Sequence, residues 1–383
     1  MNLLRSLIAT QTKRICGVNL VKLFSKSSFN MSKFKVLIAN NTIPPIAREI
    51  LETDWKHNFN CSLIMGKFKV LVANNTIPQI AHDLLKSECE VRVCEAEREQ
   101  ILQNIPGIDA MLWSSHLQLD KEMLDKAGPQ LKVIGTMSAG YDNIDVEELK
   151  KRGIKFGNTP GVLDDAVADI AVLLILAASR RYIEGRQAIE DCSWSHKNGT
   201  QWLLGQDVSG ATIGIVGLGG IGQAIAHRVK CFNVAKILYT GHKEKPEGKA
   251  IGAEFVSLDA LLKNSDFVIC SAPLTKETDK MFNAESFSKM KKTSIFVNVS
   301  RGALVNQPDL VRALKEKQIF AAGLDVMTPE PLPPDHELLR LSNCVIIPHL
   351  GSATWKTRNA MAERAAKNIL NALKGEPMIS PVV

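Results

Sequence analysis

The sequence predicts an α/β protein of two doubly wound parallel-sheet domains, and three observations carry that prediction. A β-branched apolar run, Ala211-Thr-Ile-Gly-Ile-Val216, breaks into Gly217-Leu-Gly-Gly-Ile-Gly222 and then into helix-compatible residues from Gln223 to Lys230. Short apolar strands alternate with helical stretches on both sides of that segment. At 383 residues the chain has the length of two domains rather than one.

Residues 1–30 carry Arg5, Lys13, Arg14, Lys22 and Lys26 with no acid, and the first acidic residue is Glu49. Such a leader has the composition of a mitochondrial transit peptide, or is an unselected upstream extension. A repeat follows: Met31-Ser-Lys-Phe-Lys-Val-Leu-Ile-Ala-Asn-Asn-Thr-Ile-Pro-Pro45 returns, 34 residues on, as Met65-Gly-Lys-Phe-Lys-Val-Leu-Val-Ala-Asn-Asn-Thr-Ile-Pro-Gln79. Two copies are too few for a solenoid. The second runs directly into the next elements, so it is assigned to the fold and 31–64 is read as a surplus copy.

From Lys67 onward, strands are expected at Phe68–Ala73, Ala110–Trp113 and Lys132–Thr136, with a helix starting over Ile80–Lys86 and the unit ending near Pro160. Leu163–Arg181, rich in Ala, Val, Leu and Ile, reads as one long buried helix linking two domains. The glycine segment then opens a second series, with strands at Ala235–Thr240, Asp266–Cys270, Ser294–Val299, Phe320–Asp325 and Cys344–Ile347. The last helix, about Thr354–Lys374, must return to the first domain if that domain is to be covered.

Composition narrows the function. The net charge of +7 is dispersed beyond the N-terminus, which argues against a nucleic-acid partner and suits small anions. No apolar run reaches the roughly 18–20 residues of a membrane span. None of the eight cysteines stands in C-x-x-C spacing, and no His near Cys89 and Cys94 completes a metal site, so no metal is expected. A reduced, cytoplasmic location is expected, with a mitochondrial one as the alternative through the leader.

The chemistry lies at strand ends. Gly217 makes the tight turn, Gly219 lets backbone approach a pyrophosphate, and Gly222 lets helix lie close on strand. With Gly220 and Ile221 they form the mouth of a helix whose free N–H groups attract phosphate. A glycine-rich turn alone can be purely structural; strand before and helix after favour a dinucleotide. Arg301, in Val297-Asn-Val-Ser-Arg-Gly302, can grip a carboxylate with two parallel hydrogen bonds. His349, in Ile346-Ile-Pro-His-Leu-Gly-Ser-Ala-Thr354, can protonate a carbonyl oxygen as hydride reaches the carbon. Glu330, in Leu324-Asp-Val-Met-Thr-Pro-Glu-Pro331, can orient that ring and raise its basicity. Singly, each has a bland reading as a cap, a solvated charge or a core histidine; three together beside strand ends point to catalysis.

Cofactor choice is read at the second strand of the glycine unit. NAD-binding folds usually place an acid there for the ribose 2′-hydroxyl. Here the strand ends in Leu238-Tyr-Thr240, followed by Gly241, His242, Lys243, Glu244 and Lys245. With no acid at the end, His242, Lys243 and Lys245 can neutralise a 2′-phosphate, or they form a solvated lysine loop tempered by Glu244. NADPH is therefore expected, with NADH as the weaker alternative.

The order of these motifs resembles the D-isomer-specific 2-hydroxyacid dehydrogenases, and within them the glyoxylate/hydroxypyruvate reductases, from roughly Lys67 to the C-terminus. The resemblance implies two Rossmann-like domains. The substrate domain is discontinuous, 65–162 plus 349–383, around a cofactor domain at 163–348. It puts Arg301, Glu330 and His349 at the catalytic positions. Ala139 and Gly140, in Thr136-Met-Ser-Ala-Gly-Tyr-Asp142, fall on the loop that holds the substrate carboxylate. Ser352 joins the substrate contacts, Asp325 lies at the nicotinamide end of both sites, and Pro273, Val299 and Gly351 match cofactor contacts. Trp202 matches a tryptophan lent to the partner's pocket, which implies a homodimer. The implied reaction is reduction of small 2-oxo acids, glyoxylate and hydroxypyruvate first. A phosphoglycerate or D-lactate dehydrogenase, or a nucleotide-binding corepressor of the same fold, is the alternative, and the missing strand-end acid argues against each.

Overall fold

The computed structural model describes residues 67–383 apart from Asn198, together with the strands β1 (Leu37–Ile38) and β2 (Ile64–Met65). β1 and β2 pair in parallel, Leu37 opposite Ile64 and Ile38 opposite Met65, in a unit that ends at Phe68. The leader 1–30 and the rest of the first repeat copy lie outside the described residues. All that follows belongs to a second unit, Lys69–Val383.

β3 (Lys69–Val72), β4 (Glu90–Val93), β5 (Ala110–Trp113), β6 (Val133–Thr136) and β7 (Lys155–Gly157) form a parallel sheet in the order β4-β3-β5-β6-β7. β3 comes from the second repeat copy, and Val70, Leu71 and Val72 are fully buried, as an apolar run in a sheet covered on both faces requires. The helix Trp355–Lys374 packs on β5, β6 and β7 and against the helix Gln79–Glu88. Its buried residues Met361, Ala362, Ala365, Ala366 and Ile369 recur at helical spacing and make the apolar stripe. The approach is close because β6 contributes Gly135, where a Cβ would stand 2.9 Å from the Ala365 carbonyl oxygen. Thr354 caps the helix start, accepting from the Thr357 N–H, and Gly375 ends it in the left-handed region.

β8 (Thr212–Val216), β9 (Lys236–Thr240), β10 (Glu254–Phe255), β11 (Phe267–Cys270), β12 (Ile295–Asn298), β13 (Ala321–Leu324) and β14 (Cys344–Ile346) form the second sheet, ordered β10-β9-β8-β11-β12-β13-β14 and parallel throughout. Strand order reverses between β8 and β11 here, and between β3 and β5 in the first sheet. Chain connections diverge at such points and open a crevice at the carboxyl ends of the strands. Phe282, Phe287 and Phe296 fill one side, with the ring centroids of the first two 4.7 and 5.6 Å from that of Phe296.

One helix departs from the sequence expectation. The apolar stretch read as continuous to Arg181 is helical over Asp164–Ser179, and a new helix, Tyr182–Glu190, starts after Arg181 at φ 52. The first of the two packs on β12, β13 and the helix Gly220–Lys230. Among the described residues, no helix is long and apolar enough to cross a membrane.

Candidate active site

The glycine loop lies at the carboxyl end of β8, on the reversal point of the larger sheet. Gly217 has φ 95, and a Cβ there would stand 2.7 Å from the Ala272 backbone, so only glycine makes the turn. A Cβ on Gly222 would collide with the Gly217 carbonyl oxygen, which fixes how tightly helix and strand approach. Around Gly219, by contrast, the side-chain direction meets open space, leaving the N-terminal amides of Gly220–Lys230 accessible. Ser271, just past β11, donates to the Gly217 carbonyl at 2.8 Å and ties the two flanking loops together. Nearby, Thr278 donates to the Pro273 carbonyl at 2.8 Å, and the Val299 N–H donates to the Cys270 carbonyl at 3.2 Å.

One neighbour of this loop, Asp164, was not singled out from sequence. A Cβ on Gly220 would collide with the Asp164 carboxylate, so that acid stands beside the helix mouth. Burial pushes its carboxyl above the usual value; a hydrogen bond from the Gly161 backbone opposes the rise and the Asp165 charge adds to it. Past β9, Lys245 donates from Nζ to the Leu218 carbonyl at 2.9 Å, which binds it to the glycine loop. His242 and Lys243 remain as exposed cations at that strand end.

On β14's far side the chain makes a second built feature. His349 has φ 51, a left-handed conformation that histidine visits more readily than most residues. That turn aims three successive N–H groups at Asp325: His349 donates to its carbonyl at 2.9 Å, Leu350 to Oδ1 at 2.6 Å, and Gly351 to Oδ2 at 2.9 Å. Asp325 is 1% exposed. Its burial raises the carboxyl above the usual range, and the two N–H groups and the His349 charge pull the other way. Asp325 therefore fixes the histidine turn.

His349 Nδ1 lies 2.8 Å from Glu330 Oε2, and Glu330 Oε1 accepts from the Met327 N–H at 3.0 Å. Burial alone would raise the Glu330 carboxyl, but the His349 hydrogen bond and charge, the Met327 N–H and the His116 charge outweigh it and hold it below its ordinary value. An ionised carboxylate only accepts, so Nδ1 carries the proton of this bond and Nε2 faces away from it.

Arg301, beyond β12, donates from Nε to Asp142 Oδ1 at 2.8 Å and from Nη1 to the Ser300 carbonyl at 2.9 Å. Its Nη2 lies where a side chain on Gly140 would stand. The loop bearing Gly140 is held from behind: Asn158 donates to the Ala139 carbonyl at 2.8 Å, and Asn368 of the last helix donates to the Asn158 carbonyl at 3.0 Å. The structure thus brings Ala139, Gly140 and Arg301 together, and Glu330, His349, Asp325 and Gly351 together. Ser352 follows on the His349 turn. Trp202 lies apart, its backbone N–H on the Gly199 carbonyl at 2.9 Å, with no hydrogen bond or ring contact to these residues. Sequence reasoning missed Asp142, although it quoted the segment that ends there, because its partner lies 159 positions away. It also missed His116, whose ring centroid is 6.1 Å from that of His349.

Similarity to known proteins points to one family. The model of the D-isomer specific 2-hydroxyacid dehydrogenase NAD binding domain matches residues 172–351. The chain is 48% identical over 299 residues to the glyoxylate reductase/hydroxypyruvate reductase of Mus musculus, covering 77% of this chain and 91% of that one. Among solved structures, the TT0316 protein of Thermus thermophilus matches with TM-score 0.76 and 39% identity, over 82% of this chain and all of that one. An NADPH-dependent glyoxylate/hydroxypyruvate reductase of Sinorhizobium meliloti, solved with NADP and malonate, matches with TM-score 0.75 and 29% identity, over 83% and 97%. With relatives this similar along nearly their whole length, the chain belongs to the D-isomer-specific 2-hydroxyacid dehydrogenase family.

Proposed function

We propose that this protein reduces glyoxylate and hydroxypyruvate to glycolate and D-glycerate with NADPH. The observation that carries the reading is the histidine–carboxylate pair, His349 and Glu330 at 2.8 Å, in the same chain segment order and family frame as an arginine whose Nη2 faces the Gly140 loop. The mouse and Sinorhizobium relatives, both named for these two substrates, support the substrate class.

The residues fit a dinucleotide. A loop open at Gly219, closed by backbone at Gly217 and Gly222, is a cradle that side chains would fill. Gly217, Gly219, Gly220, Ile221 and Gly222 would hold the pyrophosphate, His242, Lys243 and Lys245 the 2′-phosphate, and Pro273, Val299, Asp325 and Gly351 the nicotinamide half. When bound, reduced nicotinamide supplies the hydride that the carbonyl carbon takes up. Arg301 grips the substrate carboxylate through Nη1 and Nη2, the end that Asp142 leaves free, and the Ala139–Gly140 backbone receives the same group. His349 gives the Nε2 proton to the carbonyl oxygen, and Glu330 stabilises the imidazolium beforehand. Gain of one hydride and one proton turns the 2-oxo acid into its 2-hydroxy acid.

The helices after Asp164 carry exposed Leu173, Leu176, Tyr182, Ile183, Ile189 and Trp194. An apolar face of this kind suits a second copy of the chain, consistent with Trp202 completing the partner's pocket. Steady-state rates on a panel of 2-oxo acids with NADPH and NADH test the proposal. Reduction of glyoxylate and hydroxypyruvate, faster with NADPH, is expected. Turnover confined to 3-phosphohydroxypyruvate or pyruvate, or a preference for NADH, would overturn it.

A further inference from the structure

The substrate's carboxylate and carbonyl have partners above; the third group on the carbonyl carbon has none. His116 stands beside the proposed proton donor, its ring centroid 6.1 Å from that of His349. It follows β5, at the point where strand order in the five-stranded sheet reverses. Its loop is pinned on every side. Asn74 donates to the Ser114 carbonyl at 2.7 Å, and Asn143 donates to the carbonyls of Ser115 and Leu117 at 2.8 and 3.0 Å. Ser115 Oγ accepts from the Leu117 N–H at 3.1 Å. Those four bonds hold the backbone on both sides of a ring that itself makes no hydrogen bond or ion pair among the described residues and is exposed.

The ring faces the proton donor, with centroids 6.1 Å apart and planes tilted by 49°. No hydrogen bond joins them, and the Glu330 carboxylate feels the charge of both. An exposed histidine with no partner of its own, on a loop fixed by two asparagines, is a polar group held ready for something else. Either imidazole nitrogen can donate to or accept from a hydroxyl, and neither gains anything from a hydrogen atom or a methyl group.

We infer that His116 binds the C3 hydroxyl of three-carbon 2-oxo acids and so sets this site's preference for hydroxypyruvate over glyoxylate. The inference rests on the proposed reductase activity and names the residue that divides its two substrates. Glyoxylate, carrying only hydrogen at that position, is the internal control.

The experiment compares kcat/KM of the full chain, His116→Ala and His116→Gln on both substrates at saturating NADPH. His116→Ala is expected to lower the hydroxypyruvate value by about 10- to 100-fold, the worth of one hydrogen bond to a group otherwise left unpaired, and to leave glyoxylate within about threefold. His116→Gln, which keeps a donor and an acceptor, should recover part of the loss, and the pH profile on glyoxylate should not move. Equal losses on both substrates, or a shifted glyoxylate pH profile, would make His116 an electrostatic tuner of His349 and overturn the inference. Unchanged hydroxypyruvate kinetics would overturn it too. If the unaltered protein reduces neither substrate, the reductase reading itself falls, an outcome separate from either of these.

Discussion

The glycine loop and the proposed substrate site are built in opposite ways. At the glycine loop the main chain does the work: positions 217, 219 and 222 lie within six residues, and their role is to have no side chain. At the substrate end, side chains do it. Arg301 meets Asp142 across 159 positions, and His349 meets Glu330 across 19. A backbone site spreads its affinity over many N–H groups, whereas a side-chain site concentrates it in single residues. Individual substitutions should therefore cost far more at the substrate end.

The largest expected effect is at His349. His349→Gln should lower kcat by about 10²–10⁴, the usual worth of general acid catalysis, with little change in NADPH affinity. Near-full kcat in that variant would remove the histidine from the reaction. Next comes Arg301→Lys, which should raise KM for the oxo acid by about tenfold or more, since an ammonium cannot make the two-pronged contact. Asp142→Asn should raise KM less and spare kcat, because the arginine stays but loses its orienting partner. If Asp142→Asn leaves KM untouched, the ion pair is only a surface contact, of the kind worth about 0–1 kcal/mol.

Smaller effects are expected on the cofactor side. Asp164 faces the helix mouth with its carboxyl raised above the usual range. As pH falls from neutrality through that raised value, the carboxyl takes a proton and a negative charge leaves the phosphate loop. NADPH affinity, followed by fluorescence titration, should thus tighten toward acid, and Asp164→Asn should flatten the slope. Asp165 and Asp169 pair with Arg228 instead. A slope that persists in the variant would assign the effect elsewhere. His242→Ala with Lys243→Ala should narrow the NADPH preference and leave NADH kinetics nearly unchanged. The smallest effect is none at all. A chain starting at Met65 should match the full chain in Tm and kcat, because the opening slot of the five-stranded sheet is filled by Lys69–Val72. Loss of folding in that shortened chain would make the first repeat copy part of the protein's core.

The same contrast explains what the sequence makes legible. The glycine loop is contiguous, so it can be read directly, and the inner strands of both sheets are apolar runs. Strands β4, β7 and β10 escape such a reading. All three are edge strands, and they carry Glu90, Arg92, Lys155 and Glu254, since an edge needs only one protected side and gains from charge. Arg301, Glu330 and His349 are visible as motifs, but what holds them is not. The Asp325 clasp depends on a left-handed backbone at His349, and the Asn368–Asn158–Ala139 relay joins three distant segments; neither has a local pattern.

The return of the helix Trp355–Lys374 to the first sheet has a consequence for synthesis. β3 through β7 are translated before any of the larger sheet, yet the part of one face over β5, β6 and β7 lacks its helix until residues 355–374 emerge. The larger sheet lies wholly between, so it can close while the older sheet waits. Exposed parallel strands during that interval are open to mispairing and to holdase chaperones. Released chains truncated near residue 350 should accordingly show protease-resistant 212–346 and a susceptible 69–157. Equal protection of both segments would mean that the first sheet finds another cover while it waits.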